Sequence, residues 1–248
     1  MNISKQEKKY INSLSVKKYR DKERLFVVEG EKSVKEFLAS PFAVRTVYHT
    51  RECDFSEKYP NAKMITSTEM QQISNLKTAS PVLAVVEIPC VATETTSFNG
   101  LILALDDIQD PGNLGTVIRL ADWFGINYIV CSLHTADAYG PKTVQATMGA
   151  LTRVNIVYTD LYAFLKSTNG EIPVYGTFLE GKNIYDTELS ADGIIVMGNE
   201  GQGISPAIAG FVSEKLFIPS FSDNAPESLN VAVAAAITCS EFKRRKYR

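Results

Sequence analysis

Apolar and polar positions follow two different rhythms along this chain, and the change between them divides it. Over residues 1–88 the apolar runs are short and strand-like: "RLFVVEG" at 24–30, "VRTVYHT" at 44–50, "AKMIT" at 62–66 and "PVLAVVEI" at 81–88. Between them, Val34, Phe37 and Leu38 recur at helical spacing within residues 31–39, and residues 6–19 read as one short, basic, exposed helix. The stretch "PCVATETTSFNG" at 89–100 is rich in Thr and Ser and has no apolar period, so it is expected to link two domains, 1–88 and 101–248. From Leu101 onward strand, loop and helix repeat. Strands are expected at 101–105, 128–131, 153–157, 174–178, 193–197 and 216–218, and helices at 114–124, 141–150, 161–167, 206–209 and 229–242. That alternation predicts an α/β fold, a mostly parallel sheet covered by helices, behind a smaller α/β unit.

Three segments of the second half share one design. "DDIQDPGNLGTVIRLADWFG" (106–125), "IIVMGNEGQGIS" (194–205) and "IPSFSDNAPESLNVAVAAA" (218–236) each follow or form the end of an apolar run. Each then turns to Gly, Asn, Pro and Ser before an apolar helix pattern. Loops of this kind line the crevice at the carboxyl ends of the strands in open α/β sheets, so the three are expected to form one pocket.

Composition narrows the class. The longest unbroken apolar stretch, residues 231–237, is far short of the roughly 20 residues of a membrane span. Met1–Glu7 has no hydrophobic stretch of the signal-peptide kind, and the cytoplasm is expected. Cys53, Cys90, Cys131 and Cys239 are dispersed without a CxxC pair, which indicates neither a zinc site nor a disulfide framework. A formal charge of −2 conceals an asymmetry. Residues 1–24 hold eight Lys/Arg against three Asp/Glu, residues 241–248 hold five against one, and the chain between them is acidic. Basic ends are either solvated tails or a footprint for nucleic acid.

The side chains in the three loops limit the chemistry. Neither histidine, His49 or His134, falls in them, and neither does a cysteine, so metal-hydroxide and Ser–His–Asp mechanisms have little support. What remains is Asn113, Arg119, Glu200, Ser228 and Asn230 with many backbone amides, a set suited to orientation and to phosphate or polar-edge recognition. Gly198, Gly201 and Gly203 do not follow the GxGxxG order, and no GxxxxGK[ST] is present. Tight turns explain many of these glycines without a ligand. Arg119 either points into the mouth of the pocket or pairs structurally with Asp122 or Asp106. Asn113 is either a site residue or a helix N-cap. The apolar residues 229–237 form a core helix whose small side chains also allow packing against another subunit.

Taken together, the three segments resemble the signature motifs of the SpoU (TrmH-like) family of S-adenosylmethionine-dependent RNA 2′-O-ribose methyltransferases. "AYGPKTVQATMGALTRVNI" resembles the stretch joining the first two motifs. "INSLSVKKYRDKERLFVVEGEKSVKEFL" at 11–38 is similar to the start of the substrate-binding domain that many members carry. One departure lies in the third motif, where "SFSDNAPE", longer and without glycine, stands between Ile-Pro and Ser-Leu-Asn. The resemblance implies a carboxyl-terminal trefoil knot, which connection rules alone never predict, and a homodimer with the site near its interface. It also implies S-adenosylmethionine held by backbone around Thr177, Phe178, Gly198, Asn199, Ile218 and Leu229. The polar active-site set maps onto Asn113, Arg119, Glu200, Ser228 and Asn230, with no metal. RNA is the implied substrate, ribosomal RNA ahead of transfer RNA, with phosphates contacted by Lys17, Lys18, Arg20 and Arg24. A non-catalytic RNA-binding factor on the same fold and a small-molecule enzyme of Rossmann type are the alternatives.

Overall fold

The computed structural model describes residues 3–53, 55, 59, 62–90, 100–168, 170–222, 224 and 227–246, so residues 91–99 of the expected linker lie outside it. In chain order the first elements are α1 (Lys5–Ser13), α2 (Lys17–Glu23), β1 (Leu25–Glu29), α3 (Glu31–Leu38), β2 (Val44–His49), β3 (Ala62–Met64), α4 (Ser67–Ile73) and β4 (Val82–Glu87). Then come β5 (Leu101–Leu105), α5 (Pro111–Trp123), β6 (Tyr128–Ser132), α6 (Pro141–Thr147), β7 (Asn155–Thr159), α7 (Leu161–Ser167) and β8 (Val174–Asn183). The last are β9 (Gly193–Met197), α8 (Pro206–Ala209), β10 (Glu214–Phe217) and α9 (Val231–Lys246).

These elements group into two compact units, Met1–Cys90 with Asp137–Thr152, and Val91–Ala136 with Arg153–Arg248. The division differs from a single cut near residue 90, because α6 packs against β1 in the first unit.

The sheet of the first unit runs β1-β4-β2-β3, with β4 antiparallel to both neighbours and β3 parallel to β2. One face of β1 and β4 buries Leu25, Val27, Leu83 and Val85 against Ile11, Leu14, Met70 and Ile73. On the other face Phe26 meets Phe37 edge-on at 5.6 Å and Tyr139 at 5.1 Å. The expected helix at 6–19 is two helices. Val16 adopts extended backbone at the start of α2, and Ile11 and Leu14 ahead of it both enter the core. Helix α4 was not foreseen, although Thr66 and Glu69 form a reciprocal capping box at its start.

Arg20 departs from its expected role on RNA. Its guanidinium is buried, donating to the Asp137 carboxylate at 2.7 and 3.1 Å and to the Leu14 carbonyl at 2.7 Å. The residue therefore fastens α2 to the segment that opens α6. Lys17 and Lys18 stay exposed, Lys17 in an i,i+4 pair with Asp21. Arg24 ends α2 in the left-handed region and donates to the Ile88 and Pro89 carbonyls.

The second unit holds a six-stranded parallel sheet in the order β10-β8-β9-β5-β6-β7. Its middle strands β9 and β5 are buried along their whole length, as a sheet covered on both faces requires. Helix α5 contributes Leu114, Val117 and Ile118 to this core, each such side chain worth about 1.5–3 kcal/mol of burial. Beyond β10 the basic end is partly structural. Glu241 pairs with Arg244 and Arg245, and Arg245 also donates to the carbonyls of Ile184, Tyr185 and Thr187.

Replacing Arg20 by Met strands the Asp137 carboxylate in a largely buried place, and removing one partner of a buried pair costs about 3–5 kcal/mol. Urea unfolding of Arg20→Met should show a loss of that order. A loss under about 1 kcal/mol would contradict the structural role.

Candidate active site

The three loops leave the parallel strands β5, β9 and β10 of one sheet at their carboxyl ends. Strand register sets Leu105 beside Met197 and Val196 beside Gly176, so the residues that follow β5 and β9 and residues 177–178 of β8 emerge together. Strand β10 meets β8 in two stretches, Glu214–Lys215 against Tyr175–Gly176 and Leu216–Phe217 against Lys182–Asn183. Residues 177–181 of β8 have no register partner on β10 between these stretches, and this irregularity carries Thr177 and Phe178. Thr177 Oγ1 lies 3.6 Å from Met197 Sδ, and Lys215 Nζ sits 5.1 Å over the Phe178 ring.

The loop after β9 is a closed five-residue turn. Asn199 and Gly203 exchange backbone hydrogen bonds at 3.0 and 2.9 Å, and the Asn199 side-chain oxygen accepts from the Gly201 and Gln202 amides. Gly198 is required by contact, since a Cβ there would lie 2.2 Å from the Gly203 carbonyl carbon. Glu200 is consequently presented at the tip, exposed, and aimed across to the first loop.

There its carboxylate accepts from the Gln109 and Asp110 amides, each at 3.3 Å, and from Asn113 Nδ2 at 3.0 Å. Asn113 in turn accepts from Asn230 Nδ2 at 3.0 Å through its Oδ1. Asn230 Oδ1 accepts from the Ala232 amide at 2.9 Å at the start of α9. One chain of hydrogen bonds thus joins the second, first and third loops. Burial alone raises the Glu200 carboxyl, but the bonds from Asn113 and from the Gln109 and Asp110 amides outweigh it and hold it below the ordinary 4.5.

Asp110, not Asn113, is the N-cap of α5, accepting from the Asn113 amide at 2.8 Å with Pro111 in the first turn. Freed from capping, the Asn113 side chain has both its donor and its acceptor for the network. Arg119 lies exposed on the face of α5 that also carries Thr116 and Trp123. It makes no hydrogen bond or ion pair with any described residue. The structural pairings open to it are taken, Asp122 by Arg153 at 2.9 Å and Asp106 by the Ser205 amide at 2.8 Å. Ser228 and Leu229 are exposed beside Asn230, and Ile218 follows β10 half-buried. The network omits Ser228, and residues 223, 225 and 226 of the third segment lie outside the described residues.

Sequence reasoning passed over two residues of this framework. Asp106, buried, fixes the start of α8, and the Asp107 carbonyl accepts from Asn199 Nδ2 at 2.8 Å from a residue with φ of 60°. Their signal was the Asp-Asp pair closing an apolar strand, where a carboxylate has only loop amides to bind.

With this geometry in view, comparison with known proteins gives consistent matches. The profile described as the SpoU rRNA Methylase family matches residues 100–240, and one described as an MRM3-like substrate binding domain matches residues 5–84. A Bacillus subtilis protein named 23S rRNA (guanosine(2553)-2′-O)-methyltransferase RlmP is 33% identical over 229 residues, 90% of each chain. A TrmH-family protein structure from Porphyromonas gingivalis is 39% identical with a TM-score of 0.88, covering 99% of this chain and 100% of its own. An AdoMet-bound rRNA methyltransferase structure from Sinorhizobium meliloti is 25% identical with a TM-score of 0.88, covering 99% and 97%.

Glu200→Gln keeps an acceptor but removes the charge that draws the two loop amides in. Hydrogen exchange at the Gln109 and Asp110 amides should quicken in this variant while β5 stays protected. Because the Glu200 carboxyl is lowered in the fold, its contribution is complete above the ordinary 4.5 and is lost as pH falls through the lower folded value. Wild-type protection at those amides should therefore fall only in acid. Equal exchange in wild type and variant near neutral pH would contradict the network.

Proposed function

The chain belongs to the SpoU rRNA methylase family, and on that premise we propose that it transfers a methyl group from S-adenosylmethionine to a ribose 2′-hydroxyl of ribosomal RNA. The observation that carries the reading is the linked Glu200–Asn113–Asn230 network, with Arg119 exposed further along α5 and bonded to no described residue. The names of the Bacillus relative and the Sinorhizobium structure support the reaction and the donor. RNA is the natural acceptor because DNA lacks the 2′-hydroxyl.

The chain's own loops fit the donor. The stretch 177–181 gives up pairing with β10, which leaves backbone at Thr177 and Phe178 for a polar ligand edge, while Gly198 and Asn199, closed on Gly203, would form the wall beside it. With Ile218 and Leu229 these residues would hold its adenine, ribose and methionine parts. When bound, the donor supplies a sulfonium methyl that is already electrophilic.

The protein's task is then alignment, which is worth roughly 7–11 kcal/mol of barrier when two reactants are held in line. Arg119 binds the phosphate next to the target ribose and stabilises the negative charge that grows on the 2′-oxygen. It is not the base, since a guanidinium stays protonated; the proton leaves to that phosphate or to water. Asn113 and Glu200 orient the ribose toward the Arg119 side of α5, while Asn230 and Ser228 fix the third loop against the substrate. Lys17 and Lys18 contribute phosphate contacts that weaken with salt.

Three further features complete the reading. Trp123, 83% exposed on α5, and Val233, exposed on the adjoining α9, would be covered in a homodimer with the site near its interface. After β10, at the far edge beyond β8, the chain returns to pack α9 on α5, the path that a trefoil knot needs. No helix among the described residues is long and apolar enough to cross a membrane, and the proposed workplace is the cytoplasm.

Methyl transfer from labelled donor to ribosomal RNA, followed by mapping of 2′-O-methyl positions, tests the activity. Arg119→Ala should lower kcat by about 10²–10³-fold with donor binding retained. Arg119→Lys should remain at least about tenfold impaired, because an ammonium lacks the planar fork. Full turnover in Arg119→Lys would rule out the bidentate role, and absence of transfer to any ribosomal RNA would overturn the function.

A further inference from the structure

The first unit contains a cavity of about 370 Å³ between the end of β1, the segment after α4, and α6. That volume is in the range of small-ligand sites. Its walls include Val27, Leu76 and Met148, and its polar lining is Glu29, Asn75, Lys142 and Gln145.

Glu29 makes this cavity unusual. It alternates with Val27 on one face of β1 and is only 6% exposed. A buried carboxylate is costly unless paired or fully hydrogen-bonded, yet no cation among the described residues pairs with Glu29. It accepts from the Asn75 amide at 2.8 Å on one oxygen and from Ser74 Oγ on the other. Each carboxylate oxygen has about two acceptor directions, so acceptor capacity remains on both. Around it, the side chains of Asn75, Lys142 and Gln145 are exposed and make no hydrogen bond with any described residue. Met148 ends α6 in the left-handed region with φ of 52°, an uncommon conformation for a bulky side chain. Gly149 follows it at φ of 92°. The strained position thus carries a flexible, polarizable thioether on the cavity wall, where it can pack on the flat face of a ring.

We propose that this cavity binds an unpaired guanine base, and, resting on the RNA reading above, that the base belongs to the RNA substrate. Guanine alone among the four bases presents two adjacent N–H donors, at N1 and the 2-amino group, to match two carboxylate oxygens. Adenine and cytosine set a ring acceptor beside their amino group, and that lone pair would face the carboxylate. Uracil has one N–H between two carbonyls. The guanine O6 then falls to the side-chain amide of Gln145 on the rim, and Lys142 takes a flanking phosphate. Sequence-specific RNA recognition commonly reads such splayed-out bases by their Watson–Crick edge.

The test is fluorescence anisotropy of the full chain with a labelled oligouridylate carrying one central guanosine, inosine or adenosine. Inosine lacks only the 2-amino donor, and one hydrogen bond to a charged group is worth about tenfold in affinity. Guanosine should therefore bind about tenfold tighter than inosine, and the preference should vanish in folded Glu29→Gln. If that variant does not fold, Gln145→Ala on the exposed rim decides: it should weaken the guanosine oligonucleotide several-fold and leave plain oligouridylate unchanged. Equal binding of guanosine and inosine by the wild type overturns the proposal, as does a preference that survives in folded Glu29→Gln or an unaffected Gln145→Ala. Competition by guanosine 5′-monophosphate at the oligonucleotide's own affinity would assign the cavity to a free nucleotide and overturn RNA as its source. Methyl transfer to ribosomal RNA by the same preparation separates the two readings. Normal transfer without guanine preference overturns the cavity alone, and guanine preference without transfer overturns the catalytic reading alone.

Discussion

The carboxylate of Glu200 gathers hydrogen-bond donors from a loop more than eighty residues away in sequence, and the site takes its shape from that capture. Two of the donors are backbone amides just before α5, where the helix also presents the positive end of its dipole. The third is Asn113, whose amide both donates and accepts. It can therefore hand the connection on to Asn230, which a carboxylate or an ammonium in its place could not do. No covalent link or metal is needed for the three loops to share one geometry. The arrangement suits a reaction in which the protein supplies position and charge stabilisation while the reactive methyl arrives with the donor.

Backbone geometry makes that capture affordable. Parallel strands deliver all the loops at their carboxyl ends, and the crossing of Gly198 over Gly203 closes the turn that lifts Glu200 out. Asp106 and Asn199 then lock the second loop onto the first. Arg119 stands apart from this rigidity. Its helix is anchored by Leu114, Val117 and Ile118 on the opposite side, so the backbone is fixed while the guanidinium keeps its hydrogen-bonding capacity for a ligand.

Much of this could be read from residue order. The apolar rhythm marked all six strands of the parallel sheet, most plainly β5 and β9, because strands buried on both faces must be continuously apolar. The three polar loops were visible as one site because each follows such a run. What escaped notice depended on partners distant in sequence. Nothing local says that Arg20 is consumed by Asp137, 117 residues on, rather than offered to RNA. Nothing local says that α6, embedded in the second half of the chain, packs with the first unit. The split between α1 and α2 was hidden because charged residues on both sides share one helical tendency, and no Gly or Pro marks the turn at 14–16. The capping box of α4 and the cap at Asp110 were legible signals. The first went unread, and for the second the cap was one of two readings open to Asn113, three residues after the residue that caps the helix.

The most direct test is a charge exchange across the 3.0 Å contact between Asn113 and Glu200. Asn113→Asp keeps the acceptor for Asn230 but sets two carboxylates against each other, and should lower single-turnover methyl transfer by at least about tenfold through like-charge repulsion. Adding Glu200→Gln restores a donor facing Asp at position 113 and leaves an oxygen for the loop amides, so the double variant should recover most of the loss. A double variant no faster than Asn113→Asp alone, or an Asn113→Asp enzyme as fast as wild type, would contradict the account.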